Sequence, residues 1–294
     1  MKIYAKLALA LLALAALPGL ALAAAGEAEP WQIGFQDSVT PVADYIHWFH
    51  NWILLPVSVI IALFVLALLL IVIVKFNAKS NPVPSKTTHH AGLEVAWTVI
   101  PVLILVLIAI PSFRLLYLQR DIPQADMTIK VIGNPGWNWT YQYPDLGVDE
   151  SGEAKVSFTA SLLPEDQAKA QNRPYLLATD VPVVVPVNKI VKLIVTSDPE
   201  GIIHSWTIQG FGLKIDAIPG RLNEDWFQAT KEGVFYGECS ELCGKDHAFM
   251  PIEVHVVSQA DYDAWAEKAK TASIEDARNY LFAMLKAKGQ LAQN

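Results

Sequence analysis

The chain has 294 residues, with 22 Lys and Arg against 29 Asp and Glu, a formal charge of −7. That balance excludes the basic surface a nucleic-acid partner requires, and two cysteines are too few for a disulfide scaffold. An apolar fraction of 53% and a mean hydropathy of +0.31 are high for a water-soluble protein, so the apolar excess must be located.

Its first share lies at the start, KIYAKLALALLALAALPGLALAAA. Lys2 and Lys6 make a basic beginning, the run Leu7–Leu17 is short for spanning a bilayer, and Ala21-Leu22-Ala23 has the small residues of a cleavage site. Residues 1–23 therefore read as a signal peptide rather than a third anchor, which puts the mature N-terminus outside the cytoplasm. Residues 24–52 form an extracytoplasmic segment ending in Trp48 and Trp52, which suit a membrane interface.

Residues 53–74, ILLPVSVIIALFVLALLLIVIV, are 22 positions without a charge, long enough at 1.5 Å per residue to cross the apolar core of a bilayer. A second span is expected over 95–117, beginning VAWTVIPVLILVLIAIPSF, with Pro101 and Pro111 as candidate kinks. The intervening loop, 75–94, carries Lys75, Lys79 and Lys86 and is expected to be cytoplasmic. Both mature ends then face the opposite side, in agreement with the signal peptide. Glu94 stands at the cytoplasmic mouth of the second span, where an acid is either simply solvated or the start of a proton route.

From about residue 126 the pattern changes to short runs rich in β-branched and aromatic residues: MTIKVIG, AKVSFTA, IVKLIVTS, IHSWTI, GVFYGEC and IEVHVVS. Gly, Pro, Asn and Asp separate them, the signature of a β-sandwich or barrel with antiparallel pairing over 118–258. SLLPEDQAKAQNRPY reads as a loop with a short helix. Residues 259–294 are Ala- and Lys-rich with an apolar stripe, and two terminal helices are expected there, capped near Ser258 and Ser273. Residues 121–258 hold 19 Asp and Glu against 10 Lys and Arg, a formal charge of −9. That acidity serves solubility, or docking of a basic partner.

Both cysteines lie in ECSELCGKDHAFMP. Cys239 and Cys243 could pair with each other, but a thiol-exchange pair usually has two intervening residues and this one has three. Neither a disulfide nor an exchange pair uses His247 or Met250. Imidazole, thiolate and thioether within twelve residues favour copper or another soft metal. Iron–sulfur needs more thiolates, and structural zinc seldom takes a thioether. One cysteine is in excess for a single blue-copper ion, whereas two thiolates can bridge two ions, each needing terminal ligands. His204, in GIIHSW, is either the missing distant ligand or an ordinary half-buried histidine. The backbone carbonyl of Glu241, held between the cysteines, could also approach a metal.

The ordered motifs EVAWTVIPVLILV, LLATDVPVVVPVNK, IIHSWTI, KIDAIPGR and GECSELCGKDHAFMP resemble subunit II of the haem–copper cytochrome c oxidases in its bacterial form, over nearly the whole mature chain. The resemblance implies a two-helix transmembrane hairpin plus an all-β cupredoxin-like sandwich domain, with C-terminal helices. It implies electron transfer from cytochrome c, through the binuclear copper centre CuA, to the haem of subunit I, where oxygen is reduced to water with proton pumping. By matched position, Cys239 and Cys243 would bridge two coppers, His204 and His247 would each bind one, and Met250 and the Glu241 carbonyl would complete the set. The Glu241 carboxylate would bind a magnesium ion shared with subunit I. Asp216 and Arg221 would face that interface, and Glu94 would open the K proton pathway. Subunits I and III, cytochrome c and membrane lipid would be the partners, in a bacterial inner membrane with the copper domain in the periplasm. No residue for the oxygen chemistry itself would lie in this chain.

One region departs from the family pattern. Where the family reads close to GHQWYWSYEY, this chain reads GNPGWNWTYQY, with an apparent insertion and Asn138 in place of Tyr. Trp137 aligns with the tryptophan at which electrons enter, and Trp139 is the substitute the insertion allows. The family's acid is Gln142 here, and another docking acid is Gly201, so Asp198 and Glu200 beside it are expected to carry the docking charge. A quinol-oxidase subunit II would lack the copper ligands, which are all present. A copper chaperone or anchored cupredoxin would not copurify with a large hydrophobic partner.

Overall fold

In a computed structural model of the chain, residues 26–289 are described, so the expected signal peptide lies outside the described residues. Thr40 begins the first helix. Its side chain accepts a hydrogen bond from the Ala43 N–H at 3.1 Å, and Pro41 occupies the first turn, where its missing N–H costs nothing. Helix α1 (Pro41–Phe49) passes through a π-helical turn (His50–Leu54) into α2 (Leu55–Lys75), one continuous 35-residue rod that starts well before the apolar run. His90 caps α3 (Ala91–Arg120), its Nδ1 accepting from the Leu93 N–H at 3.2 Å. Pro101 and Pro111 lie inside α3 without ending it. No residue of α2 or α3 is buried within the chain, as a bilayer-facing hairpin requires, whereas α1 buries Val42, Ala43 and Phe49.

Ten strands follow: β1 (Met127–Asn134), β2 (Asn138–Gln142), β3 (Ser157–Ala160), β4 (Val183–Pro186), β5 (Ile190–Ser197), β6 (His204–Ile208), β7 (Leu213–Ala217), β8 (Asn223–Gln228), β9 (Gly233–Cys239) and β10 (Pro251–Val257). They form two five-stranded sheets, ordered β3-β2-β1-β5-β8 and β4-β10-β9-β6-β7. The pairing is not wholly antiparallel, contrary to the expectation from the strand pattern. β1 runs parallel to β5 and β10 parallel to β4, because the chain crosses between the sheets before returning to each. β1 alternates strictly between buried and half-buried positions, having one face in the core, whereas every residue of β10 is buried.

The second covering layer over β10 is C-terminal. Ser258 caps α5 (Gln259–Thr271) and Ser273 caps α6 (Ile274–Ala287), each side chain accepting the N–H three residues on, as their sequence predicts. The expected short helix is α4 (Glu165–Ala170). Just beyond it, Arg173 forms a buried ion pair with Glu253 of β10, and His255 Nε2 lies 2.7 Å from the other Glu253 oxygen. Phe282 of α6 covers both the guanidinium, at 4.8 Å, and the His255 ring, at 5.7 Å.

The β-domain is tied to both membrane rods. The Val39 N–H donates to the Gly210 carbonyl, the Thr230 N–H to the Val39 carbonyl, and the Thr40 hydroxyl to the Phe211 carbonyl. At the other rod, the Trp226 indole of β8 donates to the Leu118 carbonyl at 3.2 Å.

Candidate metal centre

Three connections meet at one end of the sandwich: the β1–β2 turn, the β5–β6 loop and the β9–β10 loop. β6 opens with His204 and β9 closes with Cys239, and the register sets Trp206 opposite Cys239, so the two ligand-bearing ends are adjacent. The β9–β10 loop then carries Glu241, Cys243, His247 and Met250 past the same point before Pro251 starts β10.

The donor atoms converge. His204, Cys239 and Cys243 bring their ligating atoms within 4.8 Å of one another, the one such group of three or more His, Cys, Asp or Glu among the described residues. The two sulfurs are 3.8 Å apart, far beyond the length of a disulfide, and both thiols are free. His204 Nδ1 lies 3.8 Å from Cys239 Sγ, and His247 Nδ1 3.4 Å from Cys243 Sγ. Met250 Sδ is 3.6 Å from Cys243 Sγ, and the Glu241 carbonyl 3.4 Å from Cys239 Sγ. Every sequence-assigned ligand atom therefore has a contact to one of the two sulfurs.

Burial shapes the chemistry of these groups. His204, Cys239, Cys243 and Met250 are buried, and the His204 Nε2 has no hydrogen-bond partner among the described residues. Burial pushes the Cys243 thiol up to about 12, and the neighbouring Cys239 adds to the shift. Burial also lowers the His204 pKa; the nearby Asn134 carbonyl opposes this and the charge of His247 reinforces it. The site thus holds a neutral imidazole and a thiol that ionises readily only when a cation arrives. Two soft sulfurs at bridging separation, two imidazole Nδ1 atoms, a thioether and a carbonyl fit a copper pair.

Close packing around the site involves Gly133, which the sequence left without a role, and Trp139, the substitute for electron entry. A Cβ on Gly133 would stand 2.6 Å from His204 Cδ2, so only glycine lets β1 pass this ring. The glycine that closes the β-run MTIKVIG was the available signal. Trp139 is fully buried beneath the site, its ring edge-on to His204 at 5.7 Å and its Nε1–H donating to the Met250 carbonyl at 3.3 Å.

Trp137 is placed differently. It is half-buried in the β1–β2 turn with φ of 53°, a left-handed conformation costing a tryptophan about 1–2 kcal/mol. Its Nε1–H donates to the Cys243 carbonyl at 2.9 Å, which ties the ring to the ligand loop. Asp198 and Glu200 sit in a turn whose Asp198 N–H donates to the Gly133 carbonyl at 2.9 Å, next to the Trp137 turn.

The other sequence-assigned residues lie away from the sulfurs. Asp216 lies on β7 opposite Ser205. With Arg221 it lines a cleft between β7, β8 and the end of α3, shared with Arg120 and Asp225. Burial pushes the Asp225 carboxyl up to about 6, against the pull of the Trp226 N–H and Arg120. The Glu241 side chain is exposed. Glu94, at the far end of α3, accepts from the His90 N–H at 3.1 Å and completes that helix cap.

Comparison with known proteins follows this division of the chain. The family model "Cytochrome C oxidase subunit II, periplasmic domain" matches residues 127–257, and "Cytochrome C oxidase subunit II, transmembrane domain" matches residues 28–115. A probable cytochrome c oxidase subunit 2 from Rickettsia bellii is 45% identical over 85% of this chain and 88% of its own length. Cytochrome c oxidase subunit 2 of Cereibacter sphaeroides is 42% identical over 85% of this chain and 84% of its own. The solved periplasmic domain of subunit II of cytochrome oxidase from Bradyrhizobium japonicum is 47% identical, covers 51% of this chain and 96% of its own, and superimposes with a TM-score of 0.44.

Proposed function

Because the chain belongs to the cytochrome c oxidase subunit II family, we propose that it is the electron-accepting subunit of a bacterial respiratory oxidase, taking electrons from cytochrome c outside the membrane. The observation that carries this reading is the pair of free, buried cysteine sulfurs 3.8 Å apart, faced by two imidazole Nδ1 atoms. Cys239 and Cys243 would bridge two coppers, with His204, His247, Met250 and the Glu241 carbonyl as terminal ligands. When bound, this centre supplies a one-electron carrier between cytochrome c and the haem of subunit I.

The residues of the chain do three things for that carrier. The paired strands β6 and β9 and the packed Trp139 hold the ligands in place, which keeps rearrangement on electron uptake small. Burial of both sulfurs excludes water. Trp137 offers a partly exposed ring whose edge is hydrogen-bonded to the ligand loop, the better placed of the two tryptophans to receive an electron at the surface. Asp198 and Glu200, on the adjoining turn, would steer a basic partner.

The membrane arrangement completes the proposal. The lysines of the 75–94 loop face the cytoplasm and the β-domain faces the periplasm, after removal of residues 1–23. Subunits I and III surround the hairpin together with lipid. The Glu241 carboxylate binds magnesium against subunit I, Asp216 and Arg221 line that contact, and Glu94 opens a proton route. The test is rapid mixing of the whole oxidase with reduced cytochrome c: absorbance of the copper centre should fall before the haem is reduced. Haem reduction with no preceding change at copper would contradict the reading.

A further inference from the structure

The ring of Trp137 is enclosed on three sides by the ligand loop. Its Nε1–H bonds to the Cys243 carbonyl. A Cβ on Gly244, where φ is +117°, would lie 3.1 Å from the ring atom Cζ2, so the ring rests on bare backbone. Lys245 Nζ lies over the ring, 5.6 Å from its centroid, within reach of a cation–π attraction. The lysine's one ion-pair partner among the described residues, Asp246, is 3.7 Å away, and both side chains are well exposed, at 78% and 42%. Such a pair is worth little and leaves the ammonium free to move.

We infer that Lys245 is a specificity-determining residue for docking: a movable cationic cover over Trp137 that fixes which part of a basic partner can lie on the ring. The inference rests on the proposed docking of cytochrome c at Trp137. A partner lysine laid directly over the ring would meet the Lys245 ammonium at short range. The same lysine placed toward Asp198 and Glu200 meets carboxylates instead. The favoured pose therefore turns the partner's cations to the Asp198 turn and lays neutral or acidic atoms over Trp137. The ring accepts contact only after Lys245 swings aside, and its exposure and weak ion pair permit that motion. Lys245 thus works against non-selective capture of any polycation by a domain whose net charge is strongly negative.

The test uses the whole oxidase in lipid nanodiscs as wild type, Lys245→Gln, Lys245→Glu and Lys245→Arg. Two quantities are read: the dissociation constant of oxidised basic cytochrome c, and the second-order rate of electron delivery from its reduced form. Removing one like charge should tighten binding about two- to threefold at low ionic strength in Lys245→Gln, the effect of one charge pair roughly 7 Å apart in water, and more in Lys245→Glu. Lys245→Arg should match wild type, and all differences should shrink as salt shortens the screening length. Unchanged or weaker binding in both Lys245→Gln and Lys245→Glu, with a wild-type copper spectrum, would overturn the inference. A variant that loses the copper spectrum would overturn it as well, since Lys245 would then serve the ligand loop. Wild type that binds cytochrome c but delivers no electron to copper would instead sink the proposed function itself.

Discussion

Trp137→Phe and Trp139→Phe should fail in different ways, and the structure sets the size of each effect. Trp137 is half-buried, and phenylalanine there loses the bond from Nε1 to the Cys243 carbonyl. Such a bond is worth about 0.5–1.5 kcal/mol net, and the smaller apolar area adds about 0.5 kcal/mol. No metal ligand side chain loses a contact, so the copper spectrum should stand. Delivery from cytochrome c should fall on the order of tenfold, because the ring edge is no longer held to the ligand loop and small misplacements of reacting partners cost that much or more. Trp139 is fully buried, packs edge-on to His204 and donates to the Met250 carbonyl. Phenylalanine there leaves a void beneath two ligands and should destabilise by about 2–4 kcal/mol. Its mark should be a shifted copper spectrum and weaker copper retention. Stopped-flow mixing with reduced cytochrome c, beside electron paramagnetic resonance of each variant, separates the two. Lost delivery with an intact spectrum in Trp139→Phe, together with normal delivery in Trp137→Phe, would refute the assignment.

Three further outcomes follow from the same structure. Burial works to raise the Glu253 pKa, but the His255 hydrogen bond and charge, then Arg173, hold it below its ordinary 4.5. Its contribution to stability is therefore present above that pH and lost as pH falls through the folded value. Calorimetry should show the melting temperature of Glu253→Gln lowered at neutral pH, by about 3–5 kcal/mol of stability for a stranded Arg173, with a flatter fall in acid than wild type; an unchanged melting temperature would contradict this. Neutralising Asp198 and Glu200 together should slow association with a basic cytochrome c and flatten its salt dependence; superimposable salt curves would place them outside the docking face. A reporter fused within residues 78–88 should be cytoplasmic and one after Asn294 periplasmic; both on one side would break the hairpin.

The candidate ligand loop could be picked out in the sequence because four of its donor residues fall within twelve consecutive positions, and because no disulfide or exchange-pair reading uses His247 or Met250. The two long apolar helices were legible because 53–74 and 95–113 hold no charge, although the first helix begins earlier, at Pro41, where Thr40 caps it. Contacts between distant segments were not legible. The parallel pairing of β1 with β5 depends on crossings between the sheets, which strand patterns do not encode. The passage of Gly133 beside His204 joins residues 71 apart in number. The Arg173–Glu253 pair, covered by Phe282, joins three segments far apart in the sequence. Two tryptophans two residues apart differ in burial, Trp137 half-buried in the turn and Trp139 fully buried, a difference the local insertion hid in the sequence.

The proposed electron transfer depends on Cys239 and Cys243 holding two metal ions between them. Metal analysis with electron paramagnetic resonance of the purified oxidase tests it most directly. This subunit should hold two coppers and give a mixed-valence signal split by both nuclei, lost together in Cys239→Ser or Cys243→Ser. A single copper with a one-nucleus pattern, or zinc in stoichiometric amount, would contradict it.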